Sequence, residues 1–365
     1  MKAATDAVDP ARLRRVLVTK LRHHGDVLLA APVLSTLRRH APGAEIDALV
    51  YGDTAAMLDG HPALARLHRI DRAWKQAGAA RRLREEWRLW RALRARRYDL
   101  IVHLTDQRRG LWLARTLGAR WRVAPRPKRA DPLWEGSFTH LYALPARGNT
   151  RHTVEVNLDA LRCLGLDPAP EDSRVVLVPG ADAEAAVADR LAPLGGRPFV
   201  HIHPASRWMF KTWPAERTAA LIDALAADGH AIVITAGPAE VERALVRAIL
   251  GCATHRPLDL SGQLTLKELA ALTARARLFV GVDSAPMHIA AAMGTPTVAL
   301  FGPSGEHEWG PWRVIHRVVV SDAHPCRPCG QDGCGGSKVS ECLTTLPVAR
   351  VKAAADALLA ADRRA

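Results

Sequence analysis

The sequence has no apolar run near the roughly 20 residues that a membrane-spanning helix needs. Its N-terminal stretch also has no apolar segment that could serve as a secretory signal. We therefore expect a chain that stays in the cytoplasm. It has no internal repeat and no low-complexity tract, and its 48% hydrophobic content is typical of a folded globular protein.

Several short motifs are absent as well. No GxGxxG follows the first strand-like run and no GxxxxGK[ST] occurs anywhere, so the two commonest phosphate-binding loops are excluded. The chain also has no zinc finger, ribonucleoprotein aromatic motif or helix-turn-helix signature. A nucleic-acid-binding function would thus depend on charge alone, and we do not expect a nucleic-acid partner.

Positive charge is abundant: the net charge is +14 and the sequence pI is about 10.2, which predicts an acidic partner. The densest arginine run covers residues 81–97, and at helical spacing it would align one apolar stripe: Leu83, Trp87, Trp90 and Leu93. This stripe could dock on the chain's own sheet, lie on an anionic membrane, or bind nucleic acid beside its arginines. The sequence leaves these interpretations open.

At 365 residues the chain is long enough for two cores. Strand-like runs alternate with amphipathic segments, which is typical of parallel sheets with crossover helices. A segment rich in turn formers at 165–172 indicates a boundary between two α/β halves, with a cleft between them. The predicted strands cover residues 15–19, 45–51, 98–104, 174–178, 199–203, 230–235, 277–281 and 297–301.

The segment at 20–40, KLRHHGDVLLAAPVLSTLRRH, carries the most information in the first half. Arg22, His23, His24 and Asp26 follow the first predicted strand and precede a helix-like segment. Ligands of open α/β sheets bind at this edge, so a carboxylate with two imidazoles there suits proton chemistry. The alternative is that Asp26 only caps the helix, as Asp often does.

Three strand ends of the second half carry a similar chemistry. The loop after the strand at 199–203 has Ser206, Arg207 and Lys211, and the turn after 230–235 is followed by Glu240 and Glu242. Those carboxylates could bind ribose hydroxyls or only complement the helix dipole.

The third strand end is the segment at 281–304, GVDSAPMHIAAAMGTPTVALFGPS. Ser284 and Ala285 are small enough for a phosphate to approach the helix start, next to Asp283 and with His288 one turn on. Helix capping and core packing are the alternatives for these residues. Together, the three strand ends predict a nucleotide site.

The sequence has six cysteines, four of which occur close together in a Gly- and Pro-rich segment: Cys326, Cys329, Cys334 and Cys342. They are candidate ligands of a structural zinc ion, although only the first pair has common zinc-ligand spacing. Reduced thiols and a disulfide are the alternatives. We expect Cys163 and Cys252 to be buried apolar residues.

Three segments together resemble the ADP-heptose:lipopolysaccharide heptosyltransferases of glycosyltransferase family 9: KLRHHGDVLLAAPVL, HPASRWMFKTWP and VDSAPMHIAAAMGTPTVALFGPSGEHEWGPW. The RHHGDVLL form, the ALVYGDTAAML segment and the PCRPCGQDGCGGSKVSECLTTLPV tail look like the branch called lipopolysaccharide heptosyltransferase III. The resemblance extends from about Val16 to the C-terminal helix.

This resemblance implies an α/β chain with the GT-B fold, in which two Rossmann-like domains with parallel sheets face each other across a cleft. Residues 1–168 would bind the acceptor, residues 172–346 would bind the ADP-sugar donor, and residues 347–365 would form a C-terminal helix that packs back toward the first domain. Such an enzyme is an inverting glycosyltransferase that moves L-glycero-D-manno-heptose from ADP-heptose to the heptose region of the lipopolysaccharide inner core. Another nucleotide-sugar enzyme of this shape, a transferase for a different sugar or an epimerase, is the alternative.

The resemblance also implies roles for single residues. The general base falls on Asp26, and donor contacts fall on Lys211, Asp283 and His288, and on either Glu240 or Glu242. From their positions, Ser206, Ser284 and Ala285 complete the predicted donor site, and Arg22, His23 and His24 are candidates for holding the anionic acceptor. We expect no obligatory cofactor or metal, because nothing in the sequence supplies a carboxylate cluster for magnesium. We expect peripheral attachment to the inner face of the inner membrane of a Gram-negative bacterium.

Overall fold

In a computed structural model, the chain folds into two compact units, and residues 8–362 are described. The first unit comprises Met1–Ala146 and Thr153–Val176, and the second comprises Arg147–His152 and Leu177–Ala365. Residues 1–7 and 363–365 lie outside the described residues. The first range belongs to the stretch predicted to lack a secretory signal, and the second is the end of the predicted C-terminal helix.

The first unit has a six-stranded sheet in the order β3-β2-β1-β4-β5-β6, and every neighbouring pair is parallel. Its central strands are short, nearly continuous apolar runs, as expected for strands covered on both faces. The strands are β1 (Arg15–Thr19), β2 (Glu45–Tyr51), β3 (Leu64–Ile70), β4 (Leu100–His103), β5 (Trp121–Pro125) and β6 (His140–Tyr142).

The helices of the first unit connect these strands. The α-helices are α1 (His24–Leu28), α2 (Ala31–His40), α3 (Ala79–Ala95), α4 (Arg108–Thr116), α5 (Pro132–Glu135) and α6 (Thr153–Arg162). Short 3-10 helices cover Pro10–Arg12, Gly52–Met57, Arg72–Lys75 and Glu171–Ser173.

The second unit repeats the design with a six-stranded parallel sheet in the order β12-β11-β10-β7-β8-β9. Because β10, β7 and β8 are neighbours, their carboxyl ends lie at the same edge of the sheet. The strands are β7 (Phe199–His203), β8 (Ala231–Ile234), β9 (Leu258–Asp259), β10 (Leu278–Val282), β11 (Thr297–Leu300) and β12 (His316–Val319).

Its helices are α7 (Ala181–Leu191), α8 (Ala215–Ala227), α9 (Glu240–Cys252), α10 (Leu266–Ala274), α11 (Ala285–Ala292), α12 (Glu306–Trp309), α13 (Glu341–Thr344) and α14 (Val348–Asp362). Short 3-10 helices cover Ala192–Leu194, Met209–Lys211 and Cys334–Gly336. The apolar residues Val351, Ala355, Leu358 and Leu359 of the C-terminal helix belong to the core of the second unit, where they pack with α8 and the second sheet.

The predicted α/β class with two parallel sheets is confirmed, and three of the predicted strands, at 15–19, 45–51 and 199–203, have the observed bounds. The strand predicted at 174–178 is wrong. Val175 and Leu177 of that segment are buried, but the segment joins no strand ladder, so its apolar pattern comes from side-chain packing alone. Strands β3, β5, β6, β9 and β12 were not predicted.

The stripe of the arginine-rich helix α3 is divided between the core and the solvent. Leu93 is fully buried and Trp90 packs partly against the same core, so the C-terminal half docks on its own unit. The N-terminal half does not dock: Leu83 is 71% exposed and Trp87 is 54% exposed. Between residues 8 and 362, no helix is both long and apolar enough to cross a membrane.

Candidate active site

Asp26 lies in the first turn of α1, directly beyond the carboxyl end of the central strand β1. The N-cap residue of this helix is His23, not Asp26, and the His23 side chain makes no capping hydrogen bond. The interpretation of Asp26 as the helix cap is therefore wrong. Asp26 is partly exposed, so its carboxylate remains accessible to a reacting group.

The three acceptor candidates lie just before Asp26 in the chain, and the structure gives two of them specific partners. Arg22 pairs with Asp106 at 2.6 Å, and both side chains are largely exposed. His24 donates from Nε2 to the carbonyl of Asp53 at 2.9 Å, which fixes its ring beside α1. His23 is partly exposed and has an interaction of its own.

A buried lysine lies next to this group and was not singled out from the sequence. Lys20 directly follows β1 and is only 6% exposed. Burial lowers the pKa of Lys20 to about 8, an effect that the Asp26 carboxylate opposes and the Arg22 guanidinium reinforces. The first unit thus places a carboxylate, an ammonium group and a guanidinium within electrostatic range of one another.

In the second unit, the ends of β7 and β10 bring two predicted donor residues together. Lys211 Nζ lies 2.5 Å from Asp283 Oδ2, and only 16% and 8% of their side chains are exposed. The Lys211 ammonium also lies 5.0 Å from the centre of the Trp208 ring. Ser206 is buried, and its hydroxyl accepts a hydrogen bond of 3.4 Å from the backbone N–H of Trp208.

The start of α11 is open to an anion. Ser284 is the N-cap residue, but its hydroxyl makes no capping bond and donates instead to the carbonyl of Val282 at 3.3 Å. Helix N–H groups left without a side-chain cap carry partial positive charge and suit a phosphate. Ala285, the first helical residue, adds no bulk.

His288, one turn into α11, is 4% exposed, and its Nδ1 has no hydrogen-bond partner in the part of the chain that the structure describes. Burial lowers the pKa of His288 to about 4. The nearby Asp283 carboxylate raises this pKa, whereas His152 and Lys211 lower it further. The ring is therefore neutral near pH 7 and can form a hydrogen bond with a ligand without adding charge.

The two glutamates after β8 differ in position. Glu242 turns back toward the strand end, where its Oε2 accepts the backbone N–H of Gly237 at 2.8 Å. Glu240 is bound on the helix surface by Arg243 at 2.8 Å and by Arg247. Of the two candidates, Glu242 is thus the one at the edge that carries Lys211 and Asp283.

One short segment near the donor residues gave no signal in the sequence. In the segment Arg147–His152, which belongs to the second unit, His152 stacks on Trp312 with ring centres 4.3 Å apart and bonds the Gly310 carbonyl at 3.0 Å. Asn149 Oδ1 accepts the N–H of His307 at 2.7 Å at the start of α12. The segment contains no periodic pattern from which this docking could have been predicted.

The cysteine segment does not form the metal site that was one of our hypotheses. Among residues 8–362 there is no group of three or more His, Cys, Asp or Glu side chains placed to hold a metal ion, so the structure gives the zinc interpretation no support. All six cysteines are free thiols: Cys326, Cys329 and Cys334 are exposed and Cys342 is buried. Cys163 and Cys252 are exposed, so their prediction as buried residues is wrong.

Comparison with known proteins agrees with this arrangement. The model of glycosyltransferase family 9 (heptosyltransferase) matches residues 86–339. Lipopolysaccharide heptosyltransferase 3 of Escherichia coli is 40% identical over 80% of this chain and 84% of its own length. Lipopolysaccharide heptosyltransferase 1 of Pseudomonas aeruginosa is 30% identical over 88% of this chain and 87% of its own length.

Solved structures share the fold. A family 9 glycosyl transferase from Veillonella parvula aligns with a TM-score of 0.83 at 23% identity, over 97% of this chain and 99% of its own. An Escherichia coli heptosyltransferase solved with ADP-2-deoxy-2-fluoro heptose aligns with a TM-score of 0.71 at 21% identity, over 94% of this chain and 99% of its own. The resemblance found in the sequence is thereby confirmed, and with it the prediction of a glycosyltransferase: the chain belongs to glycosyltransferase family 9, the heptosyltransferase family.

Proposed function

We propose that this heptosyltransferase moves L-glycero-D-manno-heptose from ADP-heptose to the heptose region of the lipopolysaccharide inner core, with inversion at the anomeric carbon. The observation that carries this proposal is the position of Asp26, an accessible carboxylate beyond the end of β1 that does not serve as a helix cap. The names of the relatives, lipopolysaccharide heptosyltransferases 3 and 1, support the choice of donor and acceptor.

Asp26 is the general base in this mechanism. A sugar hydroxyl is a weak nucleophile, so the carboxylate takes its proton as the new glycosidic bond forms. Such positioned base catalysis contributes about 10²–10⁴-fold to the rate. The acceptor oxygen attacks the anomeric carbon opposite the departing diphosphate, which inverts the centre in one displacement without a sugar–enzyme intermediate.

The second unit stabilises the leaving ADP in this proposal. Negative charge grows on the diphosphate during the displacement, and a fixed positive potential there lowers the barrier. Lys211 supplies an ammonium group and the uncapped start of α11 at Ser284 and Ala285 supplies N–H groups. We propose that these groups stabilise the leaving diphosphate and that no metal ion is obligatory.

The remaining donor contacts follow from the same edge of the sheet. His288 is a neutral ring whose Nδ1 has no hydrogen-bond partner among the described residues, and it is suited to a hydroxyl or phosphate oxygen. Glu242 is placed for ribose hydroxyls at the end of β8, Ser206 for the diphosphate at the end of β7, and Asp283 orients Lys211. Residues 172–346 are thus the proposed donor domain and residues 1–168 the proposed acceptor domain.

The acceptor is anionic, and we assign its binding to Arg22, His23 and His24 beside Asp26. The enzyme works in the cytoplasm at the inner face of the inner membrane, where the inner core is presented. The exposed Leu83 and Trp87 on the arginine-rich helix α3 would seat it there, because aromatic residues flanked by arginines favour an anionic interface.

The test is turnover of ADP-heptose with core-truncated lipopolysaccharide, followed by ADP release and by the anomeric configuration of the product. Asp26→Asn should bind ADP-heptose like the wild type and lose most of its rate, by about 10²–10⁴-fold. Asp59→Asn, an exposed carboxylate elsewhere in the first unit, is the matched control and should keep wild-type turnover. Normal turnover by Asp26→Asn would eliminate the proposed base.

A further inference from the structure

Lys20 is held at the centre of a hydrogen-bond network that reaches three elements of the first unit. Its Nζ donates to the carbonyl of Leu104, directly after β4, at 3.1 Å. It also donates to Oδ1 of Asn157 on α6 at 3.0 Å. Lys20 and Asn157 are 6% and 2% exposed, so these bonds are shielded from water.

Asn157 continues the network to the helix that carries Asp26. Its Nδ2 donates to the carbonyl of Leu29 at 2.9 Å, and Leu29 is the C-cap residue of α1. A helix end leaves carbonyls without partners inside the helix, and a buried side-chain donor that satisfies one of them fixes the end in place. Asn157 therefore fixes the C-terminal end of α1 relative to β1 and β4.

The charge of Lys20 needs a compensating group as well. A buried ammonium group is costly unless a negative charge lies near it, and both of its hydrogen-bond acceptors are neutral oxygens. Asp26 is the strongest of the groups that favour the charged form of Lys20, followed by Asp106. The Arg22 guanidinium, which is paired with Asp106, disfavours the charged form of Lys20. The nearby buried His103 is neutral.

We propose that Lys20 is a positioning residue of the transfer reaction: through Asn157 it fixes the C-terminal end of α1, the helix that carries Asp26, and so keeps the Asp26 carboxylate in place to take the acceptor proton. This inference rests on the proposed function, in which Asp26 is the base. Lys20 itself touches neither substrate. It acts on the rate of transfer rather than on donor binding, because all its partners belong to the first unit.

Three variants test this role. Lys20→Gln removes the ammonium group, Lys20→Arg keeps its charge, and Asn157→Asp keeps an acceptor for Lys20 but removes the donor to the Leu29 carbonyl. For Lys20→Gln we expect kcat to fall at least about tenfold with an unchanged KM for ADP-heptose.

Asn157→Asp should lower kcat in the same way, because it breaks the bond to the C-terminal end of α1. Lys20→Arg should retain most of the wild-type rate. A fall in kcat accompanied by an equal loss of ADP-heptose binding would mean a merely structural role and overturn the proposal. Thermal unfolding of each variant shows whether a loss of rate is a loss of fold.

Lys20→Gln in an Asp26→Asn background tests whether Lys20 acts through Asp26. If it does, Lys20→Gln should lower kcat less than about threefold in that background, since the effects of residues that act as a unit are not additive. An undiminished tenfold cost would overturn the proposal. If Asp26→Asn alone turns over normally, the proposed base itself fails. If Asp26→Asn is inactive but Lys20→Gln keeps the wild-type kcat, the positioning role alone fails.

Discussion

Lys211 Nζ lies 2.5 Å from Asp283 Oδ2, although the two residues are 72 positions apart in the chain. The pair neutralises the cation that we assign to the leaving diphosphate. An incoming ADP-sugar must therefore share this ammonium group with Asp283. Asp283 holds the lysine at the end of β10, next to the uncapped start of α11, and thereby fixes its position before the donor binds.

Lys211→Met should lower kcat/KM for ADP-heptose by about 10²–10³-fold, the usual cost of removing one fixed donor to a developing charge. The loss is compounded because Asp283 is left unpaired near the diphosphate. Asp283→Asn, which keeps the Lys211 ammonium group, should lower kcat/KM by a clearly smaller factor than Lys211→Met. If Lys211→Met were as active as the wild type, the Lys211–Asp283 ion pair would have a structural role only.

The stability of the second unit should fall in mild acid. His201 and His203 are buried and share the hydroxyl of Thr235, at 2.7 and 2.8 Å. Burial lowers the pKa of His203 to about 3 and the pKa of His201 well below its usual value. The unfolded chain, with histidine pKa values near 6.5, therefore binds more protons as the pH falls.

The contribution of these histidines is fully present above about pH 6.5 and is lost below it, by up to about 1.4 kcal/mol per histidine and pH unit. Urea unfolding at pH 7.5 and 5.5, followed by a signal from the second unit, measures this loss of unfolding free energy. His203→Gln should show a smaller difference between the two pH values. Identical pH dependence in variant and wild type would exclude His203 as a source.

Gly110 should not tolerate a side chain. A Cβ at this position of α4 would lie 2.1 Å from Nε2 of His103, whose buried ring is stacked on Phe138. Such overpacking typically costs about 1–3 kcal/mol. Gly110→Ala should therefore lower the unfolding temperature.

The matched control for this substitution is Gly251→Ala, in helix α9. A Cβ there meets no atom within 4 Å, so the higher helix propensity of alanine should stabilise the protein by up to about 1 kcal/mol. Differential scanning calorimetry of both variants gives the comparison. Equal unfolding temperatures would contradict the close packing at His103.

The exposed end of α3 should carry membrane binding. Replacing both Leu83 and Trp87 by Ser should weaken binding to phosphatidylglycerol vesicles at least about tenfold, since each apolar side chain that leaves the interface costs over 1 kcal/mol. Vesicle co-sedimentation measures this, and turnover of a lipid-free acceptor should not change. Ile315→Ser, which removes a 68% exposed apolar residue of the second unit, is the matched control. Equal binding of the double variant and this control would exclude the α3 surface.

The positions of the site residues were predictable because they follow local rules. Short apolar strands followed by polar turns place Asp26 at a strand end of the first sheet and Lys211 and Asp283 at strand ends of the second. Within one parallel sheet, such ends lie at one edge. The pairings were not predictable. The Lys20–Asn157 bond joins residues 137 positions apart, and only the folded chain determines that Glu242 rather than Glu240 faces the turn.

The edges of the sheets were also beyond local rules. Strand β3 alternates weakly and β6 has three residues, so neither carries enough pattern to be distinguished from a loop. The segment at 174–178 shows the opposite error, a strand-like pattern without a strand. Its apolar residues are buried as in a strand, but no neighbouring strand pairs with it.

The backbone crosses between the two units three times, since Arg147–His152 belongs with the second unit and Thr153–Val176 with the first. Recombination between family members at a single point near residue 176 would join the hexapeptide of one parent to the α12 region of the other. Asn149 and His152 would then meet foreign partners in place of His307 and Trp312. A functional hybrid enzyme therefore has to inherit residues 147–152 together with the C-terminal half.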